Sequence, residues 1–231
     1  MNFADWEPVY ELVLADLGYD RAADERARDV LAGMVEPFDA DRLAWLADAT
    51  VAVAGAGPSL TEPAALERAA AADRVVAAST AADRLRDAGV DVDLLVTDLD
   101  KNPETAVELT RAGTPVAVHA HGDNVPALRG WVPACDGDHV LPTTQAAPRG
   151  PVVDYGGFTD GDRAAFLADA FDAATLRFVG WDLDDPTVGP EKRRKLAWAE
   201  RLLRWLEYRR GDRFDLFDAE RGRGPDGGSD A

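Results

Sequence analysis

The chain has 231 residues, 46% of them hydrophobic, enough for one substantial core. Its 43 acidic and 25 basic residues give a formal net charge of -18. That excludes a general nucleic-acid binder, because phosphate backbones require a basic surface. The single cysteine, Cys135, excludes an internal disulfide and a cysteine-based metal cluster.

Residues 1 to 49 read as a helical segment. Val9, Leu12, Val13 and Leu17, then Ala27, Val30, Leu31 and Met34, recur at helical spacing. Pro37 breaks the pattern, and Leu43, Trp45 and Leu46 start another short helix. The acidic start around Asp5 and Glu7 lacks the positive region of a signal peptide, and no apolar run is long enough to span a bilayer. A soluble cytoplasmic protein is expected, with no membrane partner. Abundant Asp and scarce Lys resemble the acidic surface of proteins from a halophilic, high-salt cytoplasm.

From Thr50 the pattern becomes alternating strand and helix. Strands are predicted over 50–54, 74–78, 94–97, 116–119 and 176–179, with weaker ones over 139–141 and 152–154. Helices are predicted over 63–71, 81–88, 103–112, 160–173 and 190–210, and a last strand over 214–217. Short connections between them predict an α/β fold: a Rossmann-like three-layer parallel sheet over 50–218, carrying the N-terminal helical segment. Residues 219–231, rich in Gly with Asp and Arg, read as a disordered tail.

Parallel sheets bind ligands outside the carboxyl ends of their strands, and the polar clusters of this chain fall there. The first strand leads into Gly55-Ala56-Gly57-Pro58-Ser59, which either approaches an anion or simply makes a tight turn. It lacks the third glycine of a dinucleotide fingerprint and the Lys-Ser/Thr of a Walker loop. The second strand ends at Ser79-Thr80, either of which caps the next helix.

The third strand carries Asp93, Asp98 and Asp100. In extended chain Asp98 and Asp100 point the same way, and two adjacent carboxylates repel unless a cation sits between them. A hard divalent cation holding a polyphosphate fits that arrangement. The fourth strand supplies His119, His121, Asp123 and Asn124. A zinc site can be drawn from His119, His121 and Asp123. A better fit has Asp123 and Asn124 holding phosphate-bound Mg²⁺ or substrate, with the histidines as hydrogen-bonding groups.

Thr159 or Asp160 caps the helix after Gly156-Gly157. Trp181, before Asp182, either stacks on a flat heterocycle or packs in the core. Residues 192 to 213 hold nine cations against three acids. Lys192 to Lys195 sit at a helix N-terminus, where the macrodipole disfavours them, so an anion should compensate: a surface acid or a triphosphate.

Together Gly55–Leu60, Thr97-Asp98-Leu99-Asp100, His119-Ala120-His121-Gly122-Asp123-Asn124, Gly157-Phe158-Thr159-Asp160-Gly161-Asp162-Arg163-Ala164 and Gly180-Trp181-Asp182 resemble the archaeal 6-hydroxymethyl-7,8-dihydropterin pyrophosphokinases of the MptE type. The likeness covers about residues 40 to 215. The acidic motif is also similar to that of thiamin pyrophosphokinases, whose dimeric state suggests a homodimer by analogy.

The resemblance implies Mg²⁺, ATP as co-substrate, and a pterin acceptor in a folate or methanopterin pathway. On that reading Asp98, Asp100 and Asp123 hold the metal, Lys192 and Lys195 neutralise phosphate, and His121 orients the hydroxyl. Asn124 or Asp160 reads pterin nitrogens. Gly55, Gly57, Ser59, Ser79, Thr159 and Asp182 complete the nucleotide contacts. Two rival classes remain open: a metal-dependent glycosyltransferase-like enzyme, for which an Asp-x-Asp pair also suits a nucleotide sugar, and a non-catalytic nucleotide-binding module.

Overall fold

The computed structural model describes residues 1–218. The tail expected over 219–231 lies outside the described residues. Two helices come first: α1 (Phe3–Leu17) and α2 (Arg21–Ala32). Asn2 caps α1 by accepting from the Asp5 N–H at 3.0 Å, and Gly18, in the left-handed region, ends it. Asp20 then caps α2 by accepting from the Ala22 N–H at 3.0 Å. A short 3-10 helix, Ala40–Leu46, leads into the sheet.

The sheet elements follow in order: β1 (Thr50–Ala54), α3 (Pro63–Ala70), β2 (Arg74–Ala78), α4 (Ala81–Asp87), β3 (Leu94–Thr97) and α5 (Pro103–Arg111). Then come β4 (Val116–Ala120), α6 (Val125–Trp131), β5 (Val140–Thr144), α7 (Asp160–Ala170), β6 (Thr175–Val179) and α8 (Pro190–Arg210). The six strands are all parallel, in the order β5-β4-β3-β2-β1-β6. The chain winds outward from β1 to β5, then crosses back to lay β6 on the other side of β1.

Alternation along each strand divides the core in two. Val51, Val53, Val76, Leu94, Val96 and Ala117 face a layer that holds α1, α7 and α8. Ala52, Ala54, Val75, Ala77, Leu95, Val116 and Val118 face the layer of α2 to α6. The N-terminal helices thus contribute to both cores: Trp6 and Tyr10 of α1 to the first, Ala27 and Leu31 of α2 to the second.

Two expectations are corrected. Residues 152–154 make only isolated bridges, Thr143 with Val153 and Arg149 with Val152, because Gly150 and Pro151 interrupt the run. Residues 214–217 form a 3-10 turn, Asp215–Phe217, that sinks Phe214 and Phe217 into the core. The helix α6 is an addition, too short and too close to Pro126 and Gly130 to show a period.

Candidate functional site

A cavity of about 400 Å³ opens at the carboxyl end of the sheet. That is within the range of small-molecule clefts. Ser79 from β2, Asp98 and Asp100 from β3, and His121 and Asp123 from β4 line one side. Thr159, Asp160 and Arg163 of α7 face them, with Lys192 and Lys195 of α8.

The acidic pair meets through a turn, not through an extended strand. β3 ends at Thr97, and Leu99 adopts φ 66°, a strained left-handed conformation for a buried leucine. Thr97 Oγ1 accepts from the Leu99 N–H at 3.0 Å, and Asp98 Oδ1 accepts from the Asp100 N–H at 3.1 Å. Asp93 is excluded from the cluster. It sits before the other end of β3, where it accepts from the Val75 N–H at 2.8 Å and pairs with Arg74. A strand advances about 3.3 Å per residue, so five positions separate it from Asp98 by most of the sheet's depth.

His121 links the carboxylates, with Nε2 3.1 Å from Asp98 Oδ2 and Nδ1 2.8 Å from Asp123 Oδ1. Burial alone would raise Asp98, but hydrogen bonds from His121 and Asp100 and the Arg163 charge outweigh it and hold Asp98 below the usual carboxylate range. Burial, and then the Asp98 carboxylate, push Asp100 up to about 6. Ionising both carboxylates side by side is thus disfavoured, and a cation between them would relieve it. Mg²⁺ takes one or two carboxylates and keeps its waters and substrate phosphates, so this donor set fits it. Among the described residues no group of three His, Cys, Asp or Glu side chains is arranged for a metal cage.

The zinc alternative fails on grouping, because among the described residues His119, His121 and Asp123 do not converge as a three-ligand set. The His119 ring is buried, with Nδ1 3.0 Å from Thr143 Oγ1. The Thr143 hydroxyl in turn donates to the Val118 carbonyl, so it receives the His119 Nδ1 proton. Burial holds His119 well below its ordinary value.

Asn124 is brought to the cluster and then spent on the backbone. Its amide donates to the carbonyls of His119 (2.7 Å) and Asp98 (2.9 Å), and its oxygen accepts from the His121 N–H (3.0 Å). It fastens the ends of β3 and β4 together and positions the residues around it.

The glycine loop is also turned inward. A side chain at Gly55 or Gly57 would collide with the Gly180 carbonyl, and at Gly57 with Asp182 as well. Asp182 accepts from the Ser59 N–H (3.0 Å) and hydroxyl (2.8 Å). Gly55, Gly57, Ser59 and Asp182 thus lock the ends of β1 and β6 to each other, and of this loop Ala56 reaches the cavity wall. Trp181 packs too: its indole N–H donates to the Val53 carbonyl at 3.0 Å, its ring leaves no room for a side chain at Gly161, and it meets Phe178 edge-on. Ser79 differs. It has φ 51°, lines the cavity, and among the described residues its buried hydroxyl has no partner.

Asp162, fully buried, accepts from the N–H groups of Phe158 (3.2 Å) and Thr159 (2.5 Å) and from the Thr159 hydroxyl (2.8 Å). This reciprocal cap leaves Asp160 turned to the cavity, where Arg163 donates to it at 3.0 Å. Burial, and then the Asp98 charge, raise Asp160 to about 7. At the far wall burial, and then the Lys101 charge, lower Lys192. Other cations of α8 serve surface partners: Arg194 meets Asp16, Arg209 meets Asp5, and Arg210 meets Asp169.

Sequence reasoning missed a chain of buried polar contacts beneath the site. Asp24 of α2 accepts from the Gly122 N–H (2.7 Å), the Tyr10 hydroxyl (2.7 Å) and Gln145 Nε2 (2.7 Å). Gln145 Oε1 accepts from Arg163 (2.8 Å), which holds Asp160. Burial and the Asp24 carboxylate keep the Tyr10 phenol above its ordinary value. Lys101, beside Asp100, also lines the cavity and was passed over.

A parallel three-layer sheet with carboxylates and lysines gathered at its strand ends defines a Rossmann-like α/β protein whose cavity opens over β2 to β4. The family model described as 6-hydroxymethylpterin diphosphokinase MptE-like matches residues 31–187. The chain belongs to this MptE-like family. It is 38% identical over 231 residues to a 6-hydroxymethyl-7,8-dihydropterin pyrophosphokinase of Methanothermobacter thermautotrophicus, covering 92% of this chain and 97% of that one. The protein of the same name from Pyrococcus furiosus is 36% identical over 225 residues, covering 90% and 95%. That from Methanocaldococcus jannaschii is 29% identical over 232 residues, covering 90% and 96%.

Proposed function

We propose that this chain transfers diphosphate from ATP to 6-hydroxymethyl-7,8-dihydropterin, in folate or methanopterin biosynthesis. The observation that carries this reading is the cavity wall where Asp98 and Asp100 face Lys192 and Lys195. Relatives that span nearly the whole chain bear the name of that activity. The pterin hydroxymethyl oxygen bonds to the β-phosphorus of ATP. The bond from that phosphorus to the α,β-bridging oxygen breaks, AMP leaves with the bridging oxygen, and the hydroxyl proton passes to the carboxylate cluster. Such a reaction asks for positioning and charge neutralisation more than covalent chemistry.

Asp98 and Asp100 would hold Mg²⁺, which when bound supplies countercharge to the polyphosphate, while Asp123 at the rim would act through His121. Lys192, Lys195 and Lys101 neutralise the remaining phosphate oxygens. His121, clamped between Asp98 and Asp123, orients the acceptor hydroxyl. Ser79 gives its hydroxyl to the nucleotide. Asp160 accepts from the amino-pyrimidine edge of the pterin. The test is incubation with ATP, Mg²⁺ and the reduced pterin, scored for AMP by chromatography. AMP released in step with pterin diphosphate supports the reading. ATP bound with no AMP under any acceptor overturns it.

A further inference from the structure

We infer that Tyr19 and Phe158 form the stacking platform for the flat ring of the acceptor, which makes the turn between α1 and α2 a substrate-specificity element. This rests on the proposed pterin reading. Both side chains line the cavity, with ring centroids 6.1 Å apart and planes 20° from parallel. Phe158 is 6% exposed, whereas Tyr19 is 40% exposed at the rim. A half-exposed aromatic ring beside a buried one presents π-surface for a ligand to cover.

The turn itself is built to hold Tyr19 there. Gly18 closes α1 in the left-handed conformation and Asp20 opens α2, so Tyr19 is the one residue between two capping positions. Its hydroxyl donates to Glu191 at 3.0 Å, and Lys195 Nζ lies 5.6 Å from its ring centroid. The base of α8, which carries the phosphate-facing lysines, thus leans on the same ring. Trp181, a further aromatic near the strand ends, has its indole N–H and one face committed to the protein.

Charge complementarity selects the pterin over the adenine for this platform. Asp160 lies two residues beyond Phe158 and turns to the same cavity. Above about pH 7 the Asp160 carboxylate, held by Arg163 at 3.0 Å, only accepts. The pterin's 2-amino group and N3–H offer two adjacent donors to it, whereas the adenine edge pairs a donor with an acceptor.

The experiment compares wild type, Tyr19→Leu and Tyr19→Phe. Affinity for 6-hydroxymethylpterin is read from quenching of the pterin's fluorescence. Affinity for a non-hydrolysable ATP analogue with Mg²⁺ is read by calorimetry, and KM and kcat by AMP release. Losing one aromatic face should weaken pterin binding and raise its KM by roughly 2- to 10-fold, with a smaller change in the analogue's affinity, since Lys195 also rests on the ring. Tyr19→Phe should bind pterin as wild type does. Wild-type pterin affinity in Tyr19→Leu, or a loss of the ATP analogue instead, would overturn the platform while leaving the enzyme reading intact. A wild-type protein that binds the analogue, binds no pterin and makes no AMP would sink both.

Discussion

Gln145 Nε2 donates to Asp24 Oδ2 at 2.7 Å, and this bond fastens the N-terminal helices to the end of the sheet. Asp24 is 3% exposed and accepts from three separate elements. In Asp24→Asn the new NH₂ faces the Gln145 NH₂, donor against donor. Losing charge-assisted bonds in a buried place should cost about 2–4 kcal/mol, read as a Tm fall of roughly 2–4 °C per kcal/mol. Adding Gln145→Glu restores a donor-to-acceptor pair. The double variant should regain about half the loss, on the logic of coupled neighbours. A double variant no more stable than Asp24→Asn would show that this bond is not what couples the two positions.

The metal role proposed for Asp98 and Asp100 has a direct test. Asp100→Asn removes a charge crowded against Asp98, so near pH 7 it should not lower stability. Removing a ligand should nonetheless cut AMP release by more than about 100-fold, beyond the loss typical of outer-shell partners. Wild-type turnover with Mg²⁺ in this variant would end the metal assignment.

The strands were legible where a short apolar run meets a turn signal, as at Val51 to Gly55 and Leu94 to Asp98. β5 was faint because Pro142 interrupts it, and residues 214–217 misled because Phe214 and Phe217 pack at turn spacing. The grouping of Asp98, Asp100, His121 and Asp123 was legible because parallel strands deliver their ends to one side of the sheet, whereas Asp93 and His119 were grouped with them and lie elsewhere. What stayed hidden was long-range. Asp24 meets Gly122 across 98 positions, and Gln145 meets Asp24 across 121. No local period records such contacts. The glycine loop after β1 misled for the opposite reason: its composition suits a ligand, and the structure spends it on Gly180 and Asp182.

Ser79 separates stability from activity. Its buried hydroxyl has no partner among the described residues, so in the ligand-free protein it carries a desolvation cost. Ser79→Ala keeps the backbone at φ 51° and removes that cost, and should raise stability by about 1 kcal/mol. If the hydroxyl serves the nucleotide, the same change raises KM for ATP. Thermal melts and initial rates on one preparation read both signs. A variant with lower Tm and unchanged KM would remove Ser79 from the site.

Asp154 sets a pH dependence of its own. Burial raises its carboxyl to about 7 in the folded chain, although Oδ1 accepts from the Gly156 N–H at 3.0 Å. In the unfolded chain it titrates near its ordinary value of 3.8. Between those two values the unfolded state releases its proton while the folded state keeps it. The stability this group contributes is full below about pH 4 and lost as pH rises through about 7. Asp154→Asn retains the oxygen that accepts from Gly156 and cannot ionise. Melting curves from pH 4 to 8 should therefore show the variant level with wild type at the acid end and more stable above pH 7. A constant offset across that range would mean that the carboxyl does not titrate there.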